Sequence, residues 1–293
     1  MNAPRILLIG KNGQVGWELR RALAPLGSLK VVGREEADLA DADVLTSLVA
    51  ELKPALVINT AAYTAVDRAE SEPELAHQIN GVAPGVLAEA ARQAGAWMIH
   101  FSTDYVFDGT KQGPYFESNP TNPLNVYGQS KLEGELAVRA AGERHLIFRL
   151  CWVYATRGRN FLLTMQRLAR ERDALKVVND QRGTPTWARA IAEAVAPIAH
   201  GLLTSPRWEG AGGTYHLACA GETTWHGFAS RIVELMPAEQ RRAREVMAIP
   251  TTEYPTPAKR PANSVLDCAL LQQTFGIRLP DWDAALQLAL ESC

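Results

Sequence analysis

Five short apolar runs alternate with longer segments of helical period through the first 150 residues. Between the runs, apolar side chains recur every three or four residues, as at Val15, Leu19, Leu23 and Leu26. Apolar runs without polar alternation suit strands buried on both faces, as in parallel sheets. The pattern therefore predicts an α/β fold, a Rossmann-type doubly wound parallel sheet. The predicted strands span residues 6–9, 29–32, 55–58, 97–101 and 146–150.

A glycine-rich turn joins the first apolar run to the first helical segment. Its sequence at 10–16 is Gly-Lys-Asn-Gly-Gln-Val-Gly. Glycine allows a tight turn and a close approach of backbone to phosphate, and a helix N-terminus supplies free N–H groups. A plain strand-to-helix turn is the alternative, but the position between strand and helix favours a dinucleotide site. The predicted cofactor residues here are Gly10, Asn12, Gly13, Gln14, Val15 and Gly16.

The ends of the second and third predicted strands carry further candidates for cofactor contacts. An arginine after the second strand, Arg34, can pair with the 2′-phosphate of NADPH, whereas an acid would bind a ribose hydroxyl. A solvated arginine at a strand end is the alternative. Glu35 and Glu36 would repel a 2′-phosphate if they faced it, so NADPH is the predicted cofactor and NADH stays open. The predicted contacts in these two segments are Arg34, Asp38, Leu39, Ala61, Ala62 and Tyr63.

The second half has a looser pattern. Short strand-like pieces at 175–178, 215–217 and 246–249 mix with helices and with connectors rich in proline and threonine. We therefore expect residues 1–150 to form the dinucleotide-binding domain. Residues 151–293 are expected to form mainly a smaller mixed α/β domain that binds substrate and closes over it. Some of its segments are expected to return to the Rossmann sheet.

Tyr127 and Lys131 are four residues apart, so they share one face of a helix predicted to begin near Tyr127. A nearby ammonium stabilises a phenolate, so Lys131 and a positively charged nicotinamide ring are expected to lower the tyrosine pKa from about 10. Tyr127 could then give a proton to a ketone oxygen as hydride reaches the carbon. Thr103, at the end of the fourth strand, would hydrogen-bond the same oxygen. A surface Tyr–Lys pair is the alternative.

These motifs resemble the extended short-chain dehydrogenases/reductases, and longer strings narrow the resemblance to the dTDP-4-dehydrorhamnose reductases. The strings lie at residues 59–67, 100–107, 124–128, 179–186 and 260–264. The resemblance implies a cytoplasmic enzyme that reduces the C4 ketone of dTDP-4-dehydro-β-L-rhamnose with NAD(P)H, giving dTDP-β-L-rhamnose. Related dehydratases carry an Asp-Glu pair after the threonine. Here Tyr105 follows Asp104, which favours reduction over dehydration.

The resemblance also implies substrate contacts. Thr103, Asp104, Tyr127, Lys131 and Trp152 would touch the sugar, with Trp152 as an apolar wall. The nucleotide and its diphosphate would be bound by Asn160, Asn179, Arg182 and Arg260. A reductase for another nucleotide-linked keto sugar is an alternative. So is a non-catalytic dinucleotide-binding regulatory subunit of the same fold.

Charge and composition exclude several other classes of protein. The net charge of −2 provides no basic field for nucleic acid or anionic membranes. No apolar stretch approaches the 18 or so residues that a membrane span needs. The cysteines Cys151, Cys219, Cys268 and Cys293 lack metal-ligand spacing and fit free thiols.

Some members of the resembled family form homodimers that bind Mg²⁺, but no motif here assigns a residue to the metal. No metal ligand is predicted, and a homodimer is left open.

Overall fold

A computed structural model describes residues 3–291, so Cys293 lies outside the described residues. In chain order the strands are β1 (Arg5–Ile9), β2 (Ser28–Val32), β3 (Leu56–Asn59), β4 (Trp97–Thr103), β5 (His145–Leu150), β6 (Val153–Tyr154), β7 (Ala174–Val178), β8 (Arg182–Gly183), β9 (Thr186–Trp187), β10 (Gly213–His216), β11 (Thr223–Thr224) and β12 (Glu245–Ile249). The helices are α1 (Gln14–Ala22), α2 (Ala42–Leu52), α3 (Val66–Ala69), α4 (Pro73–His77), α5 (Ala83–Gln93), α6 (Val126–Ala141), α7 (Phe161–Glu171), α8 (Ala188–Thr204), α9 (Trp225–Leu235), α10 (Ala269–Phe275) and α11 (Trp282–Glu291).

The main sheet has the strand order β10-β5-β4-β3-β1-β2, and each neighbouring pair is parallel. The predicted α/β class with a doubly wound parallel sheet is therefore confirmed. All five predicted strands of the first half are present. The strand order reverses between β1 and β3, which opens a crevice at their carboxyl ends. The glycine turn after β1 and the segment after β3 meet at this crevice.

Both faces of the sheet are buried because alternate residues of each strand point to opposite sides. On one face, Ile6 and Leu8 pack in a core with Leu19 of α1 and Ile191 of α8. On the other face, Leu7 packs in a core shared with α2, α5 and α6. The unbroken apolar runs of the sequence follow directly from this two-sided burial.

The second half of the chain adds to the main sheet and also forms small ribbons. β10 extends the sheet beside β5, and α8 packs against α1. The ribbons are β6 with β9, β7 with β12 and β8 with β11. The strand-like pieces predicted at 175–178, 215–217 and 246–249 correspond to β7, β10 and β12. The division of the chain into two domains at residue 150 stays a prediction.

Helix α6, which carries Tyr127 and Lys131, begins at Val126, as its sequence predicts. Its N-cap is Asn125, whose side-chain oxygen accepts a hydrogen bond from Gly128 N at 2.8 Å. The Asn125 amide also donates to Lys259 O at 2.8 Å, which ties the start of the helix to the C-terminal region. The cap therefore fixes both the helix start and its place beside the second half.

Candidate active site

The crevice holds a cleft of about 670 Å³ and an adjoining cavity of about 300 Å³. Predicted residues that line the cleft are Gly10, Asn12, Gly13, Gln14, Val15, Arg34, Ala61, Ala62, Thr103, Asp104, Tyr127, Lys131 and Trp152. Those that line the cavity are Gly10, Arg34, Asp38, Leu39, Ala61, Ala62 and Tyr63. The folded chain thus brings the predicted cofactor residues and the predicted catalytic and substrate residues to one edge of the sheet.

The glycine turn forms a cradle at the start of α1. Gly10 has a φ of +102°, and a Cβ there would lie 2.4 Å from the Thr60 hydroxyl oxygen. A Cβ on Gly16 would lie 2.1 Å from the Gly10 carbonyl oxygen, so this glycine serves the packing of the helix on the turn. Gly13 is the N-cap residue of α1, and it has no side chain that could accept a hydrogen bond from the helix. The first backbone N–H groups of α1 are therefore left facing outward. This arrangement fits the diphosphate of a dinucleotide.

The charged residues after β2 are paired with one another. Arg34 Nε lies 3.2 Å from Asp38 Oδ2, and Asp38 Oδ1 also accepts from Ala40 N at 3.1 Å. Glu36 accepts from Lys11 Nζ at 2.8 Å and from Gly33 N at 2.8 Å. The hydrogen bond from Lys11 chiefly lowers the pKa of Glu36. Lys11 therefore offsets the acidic charge that the sequence placed next to Arg34.

Thr103, Asp104 and Tyr127 form a cluster of polar groups at the end of β4. Thr103 Oγ1 donates to Asp104 Oδ1 at 3.0 Å and accepts from Tyr105 N at 3.2 Å. The Thr103 hydroxyl also lies near the Tyr127 phenol and lowers the pKa of that phenol. Because this influence stabilises the phenolate, it favours release of the Tyr127 proton. Tyr127 is therefore placed as a proton donor.

The pKa of Tyr127 differs from the sequence-based expectation. Burial raises the pKa of Tyr127 to about 12, the Thr103 hydroxyl opposes that rise, and the charge of Asp104 adds to it. The expected lowering by Lys131 is wrong for this structure. The Lys131 ammonium instead donates to Phe101 O at 2.7 Å. Tyr127 is thus a neutral phenol at physiological pH, the form that a general acid needs.

Lys131 ends a buried chain of polar groups. Asn59 Oδ1 accepts from Ala61 N at 3.0 Å, so the Asn59 amide nitrogen faces His100 Nδ1 at 3.5 Å. His100 Nδ1 is then the acceptor, and its Nε2–H faces Lys131 Nζ at 3.4 Å. Burial lowers the pKa of Lys131 to about 8, and burial followed by the charge of Lys131 keeps His100 neutral by lowering its pKa. An N–H directed at Lys131 also disfavours its charged form.

Asp104 is a buried carboxyl group with one unpaired oxygen. It is 2% exposed, and its Oδ2 has no hydrogen-bond partner among the described residues. Burial raises its pKa to about 6, although the neighbouring Ser264 and Thr103 hydroxyls oppose that rise. An oxygen of this kind in the wall of a cleft can accept a hydrogen bond from a ligand hydroxyl.

Two tryptophans form an aromatic wall on the side of the cleft that the second half provides. Trp152 and Trp225 stack with ring centroids 3.7 Å apart at an interplanar angle of 13°. Trp152 has a φ of +41°, a left-handed conformation that is costly for a bulky residue. A Cβ on Gly183 would lie 2.4 Å from the Trp152 indole, so only glycine leaves room for it.

Four predicted nucleotide contacts do not line the cleft. Asn160 is the N-cap of α7, and Asn179 accepts from Thr224 Oγ1 at 2.7 Å. Arg182 is ion-paired with Glu222. Arg260 forms a bidentate pair with Asp67, at 3.0 and 2.9 Å. The folded chain therefore gives each of these side chains a partner of its own.

Among the cleft-lining side chains that sequence reasoning missed are Trp225, Arg157 and Arg159. Trp225 is the first residue of α9, and the two arginines lie in the loop before α7. None of them belongs to a local motif with known spacing. Only the ribbons of the second half bring them to the cleft, so no short-range signal could have found them.

Three further properties follow from the described residues. Within 3–291, no group of three or more His, Cys, Asp or Glu side chains could hold a metal ion. No helix in the same range is long and apolar enough to cross a membrane. Cys151 and Cys219 are buried free thiols and Cys268 is a partly buried one.

Comparison with known proteins gives consistent matches over the whole chain. The model of the family described as the RmlD substrate binding domain matches residues 4–293. A dTDP-4-dehydrorhamnose reductase of Burkholderia thailandensis is 52% identical, with 98% of each chain covered. That of Escherichia coli K12 is 46% identical, covering 97% of this chain and 96% of the other.

Solved structures of similar proteins agree with these sequence matches. A Bacillus anthracis dTDP-4-dehydrorhamnose reductase in complex with NADP superimposes with a TM-score of 0.92 at 31% identity, over 100% of both chains. A Clostridium acetobutylicum dTDP-4-dehydrorhamnose reductase gives 0.91 at 36% identity, over 98% of this chain and 99% of the other. The chain therefore belongs to the RmlD substrate binding domain family, in the branch of the dTDP-4-dehydrorhamnose reductases.

Proposed function

We propose that this chain reduces the C4 ketone of dTDP-4-dehydro-β-L-rhamnose to give dTDP-β-L-rhamnose. The observation that carries the proposal is the Thr103–Tyr127 hydroxyl pair, which lies in the same cleft as the glycine turn. The high identity to reductases of this substrate supports the choice of sugar. A dTDP-sugar is thus the proposed partner. A cytoplasmic location and a homodimer remain predictions.

The glycine cradle would hold the diphosphate of NAD(P)H, and the adjoining cavity would hold its adenosine end. Bound NAD(P)H supplies the hydride that reduces the ketone carbon. Arg34 and Asp38 line the cavity as an ion pair, and Lys11 offsets the charge of Glu36. These two cations support NADPH as the preferred cofactor, while NADH remains an alternative. No role is proposed for Mg²⁺.

Tyr127 would act as the general acid. A ketone oxygen bound between the Tyr127 and Thr103 hydroxyls would accept a hydrogen bond from the phenol. An alkoxide has a conjugate acid with a pKa near that of water, roughly 15.7, so a phenol of pKa about 12 still gives up its proton to it. Thr103 would orient the same oxygen, and Lys131, buried behind Tyr127, would hold the ribose hydroxyls of the cofactor.

Asp104 and Trp152 would bind the sugar. The unpaired Oδ2 of Asp104 would accept from a sugar hydroxyl, and Trp152 would give an apolar wall to the ring. Asn160, Asn179, Arg182 and Arg260 remain proposed contacts of the nucleotide. For Arg182 and Arg260 this proposal requires the diphosphate to compete with Glu222 and Asp67.

The test is NADPH oxidation followed by absorbance, with dTDP-4-dehydro-β-L-rhamnose prepared enzymatically from dTDP-glucose. We expect oxidation that requires the keto sugar and yields dTDP-β-L-rhamnose in equal amount. Absence of turnover with tight NADPH binding would overturn the sugar assignment and direct the search to other nucleotide-linked keto sugars. If none of them supported turnover, the protein would be a dinucleotide-binding regulatory subunit.

A further inference from the structure

The loop between β6 and α7 carries two arginines, Arg157 and Arg159, that line the same cleft as the glycine turn. Asn160 closes this loop, because its amide nitrogen donates to Ala155 O at 2.8 Å and to Arg157 O at 3.0 Å. The loop belongs to the second half of the chain but reaches the helix that follows β1. It therefore connects the two sides of the cleft.

Arg157 is anchored on α1. Its guanidinium carbon lies 3.6 Å from the ring centroid of Trp17, and Trp17 N donates to Gly13 O at 2.9 Å in the first turn of that helix. Stacking occupies the face of a guanidinium and leaves its in-plane N–H groups free to donate. Arg157 thus places hydrogen-bond donors beside the first turn of α1.

The charge environment distinguishes these arginines from the other candidate cations. Lys11, Arg34, Arg182 and Arg260 each lie within 4.0 Å of a carboxylate oxygen. By contrast, neither Arg157 nor Arg159 has an ion-pair partner in residues 3–291. Asp104 is the one carboxylate among the described residues that line the cleft. With a net charge of −2, the chain supplies no general attraction for anions, so a bound diphosphate needs local cations of this kind.

We propose that Arg157 and Arg159 bind a ligand diphosphate across the cleft from the glycine turn. Because Arg157 is held against the first turn of α1, that diphosphate is assigned to the dinucleotide cofactor. This assignment rests on the proposed function, because it is the proposed function that requires a dinucleotide to bind in the cleft. Besides its proposed contact with the nucleotide, Asn160 holds the loop in place for these two arginines.

The test measures binding without turnover. NADPH and dTDP are titrated separately into the wild-type protein, Arg157→Ala, Arg159→Ala and the double variant. The control is Arg170→Ala, which removes an exposed arginine of α7 that has no ion pair within the described residues. Adenosine 2′-phosphate, which has no diphosphate, is titrated as a competitor of NADPH.

We expect the double variant to raise the Kd for NADPH about 10-fold, the size of effect that a lost charge-assisted hydrogen bond gives. The affinity for adenosine 2′-phosphate and the NADPH affinity of the control should stay within about twofold. A rise in Kd that is confined to dTDP would support the diphosphate site and assign it to the nucleotide sugar. Unchanged binding of both ligands, or an equal loss for adenosine 2′-phosphate, would overturn the proposal. Normal NADPH binding without turnover would contradict the proposed function alone.

Discussion

At the scale of single residues, the site is built from buried groups held away from their ordinary protonation behaviour. Burial raises the pKa values of Tyr127 and Asp104 and lowers that of Lys131. Each shift disfavours the charged form of its group. Asp104 and Lys131 are charged in the unfolded chain at neutral pH, so for these two the free energy of unfolding is lower than it would be with neutral side chains, as is common for functional sites.

Asp104→Asn should raise the free energy of unfolding in a pH-dependent way. The carboxyl pKa is raised from 3.8 to about 6, so the folded state retains a proton that the unfolded state has lost between these values. Stability is therefore lost as pH rises through that window. The penalty is about 3 kcal/mol at about pH 7.5 and roughly half of that near pH 5. Asparagine cannot ionise and avoids this penalty.

Urea unfolding of both proteins at these two pH values measures the difference. Glu193→Gln, which changes an exposed carboxylate of α8 in the same way, serves as control and should show a change near zero. If Asp104→Asn raised the free energy of unfolding equally at both pH values, ionisation of Asp104 could not be the cause.

Much of the residue scale could be predicted from sequence. The spacing of Tyr127 and Lys131 on one helix, the glycine turn and Thr103 at a strand end follow from local pattern. The partners of Lys131 could not be predicted, because Phe101 and His100 lie on a neighbouring strand. The direction of the Tyr127 pKa shift was missed for the same reason, since burial and the nearby Asp104 depend on tertiary packing.

At the scale of elements, short ribbons of the second half position the aromatic wall. β8 pairs with β11, so Gly183 lies opposite Thr223 and close to the start of α9. β6 pairs with β9, and Thr186 N donates to Trp152 O at 3.1 Å. Two-residue strands carry too little periodicity to be read from sequence, whereas the longer β7, β10 and β12 were predicted.

Gly183→Ala should disrupt this wall. The new Cβ would lie 2.4 Å from the Trp152 indole, so the ring must leave its stack with Trp225. We expect a loss of about 1–3 kcal/mol in the free energy of unfolding. Two stacked indoles couple optically, so the near-ultraviolet circular dichroism should lose the signal of the coupled pair. The KM for the keto sugar should rise while the Kd for NADPH stays unchanged.

The matched control is Gly210→Ala, since a Cβ at Gly210 would have no neighbour within 4 Å. It should leave the spectrum and both ligand affinities as in the wild type. If Gly183→Ala kept the dichroism signal and the wild-type KM, the positioning of Trp152 by Gly183 would be wrong.

At the scale of the whole molecule, the sheet is completed by both halves of the chain. β10 adds a sixth strand beside β5, and α8 covers the face that α1 begins. The class of fold was predictable from alternating apolar runs. The meeting of the glycine turn, the Thr103–Tyr127 pair and the aromatic wall in one cleft depends on long-range packing, for which a single sequence provides no direct signal.

The central claim is that Tyr127 donates the proton in ketone reduction, and Tyr127→Phe tests it most directly. The change removes the phenol oxygen and keeps the ring. We expect kcat with dTDP-4-dehydro-β-L-rhamnose to fall by about 10²–10⁴, the usual contribution of a general acid. The Kd for NADPH should stay within about threefold, and Tyr254→Phe, at an exposed tyrosine, should retain full activity. A near-wild-type kcat for Tyr127→Phe would contradict the mechanism.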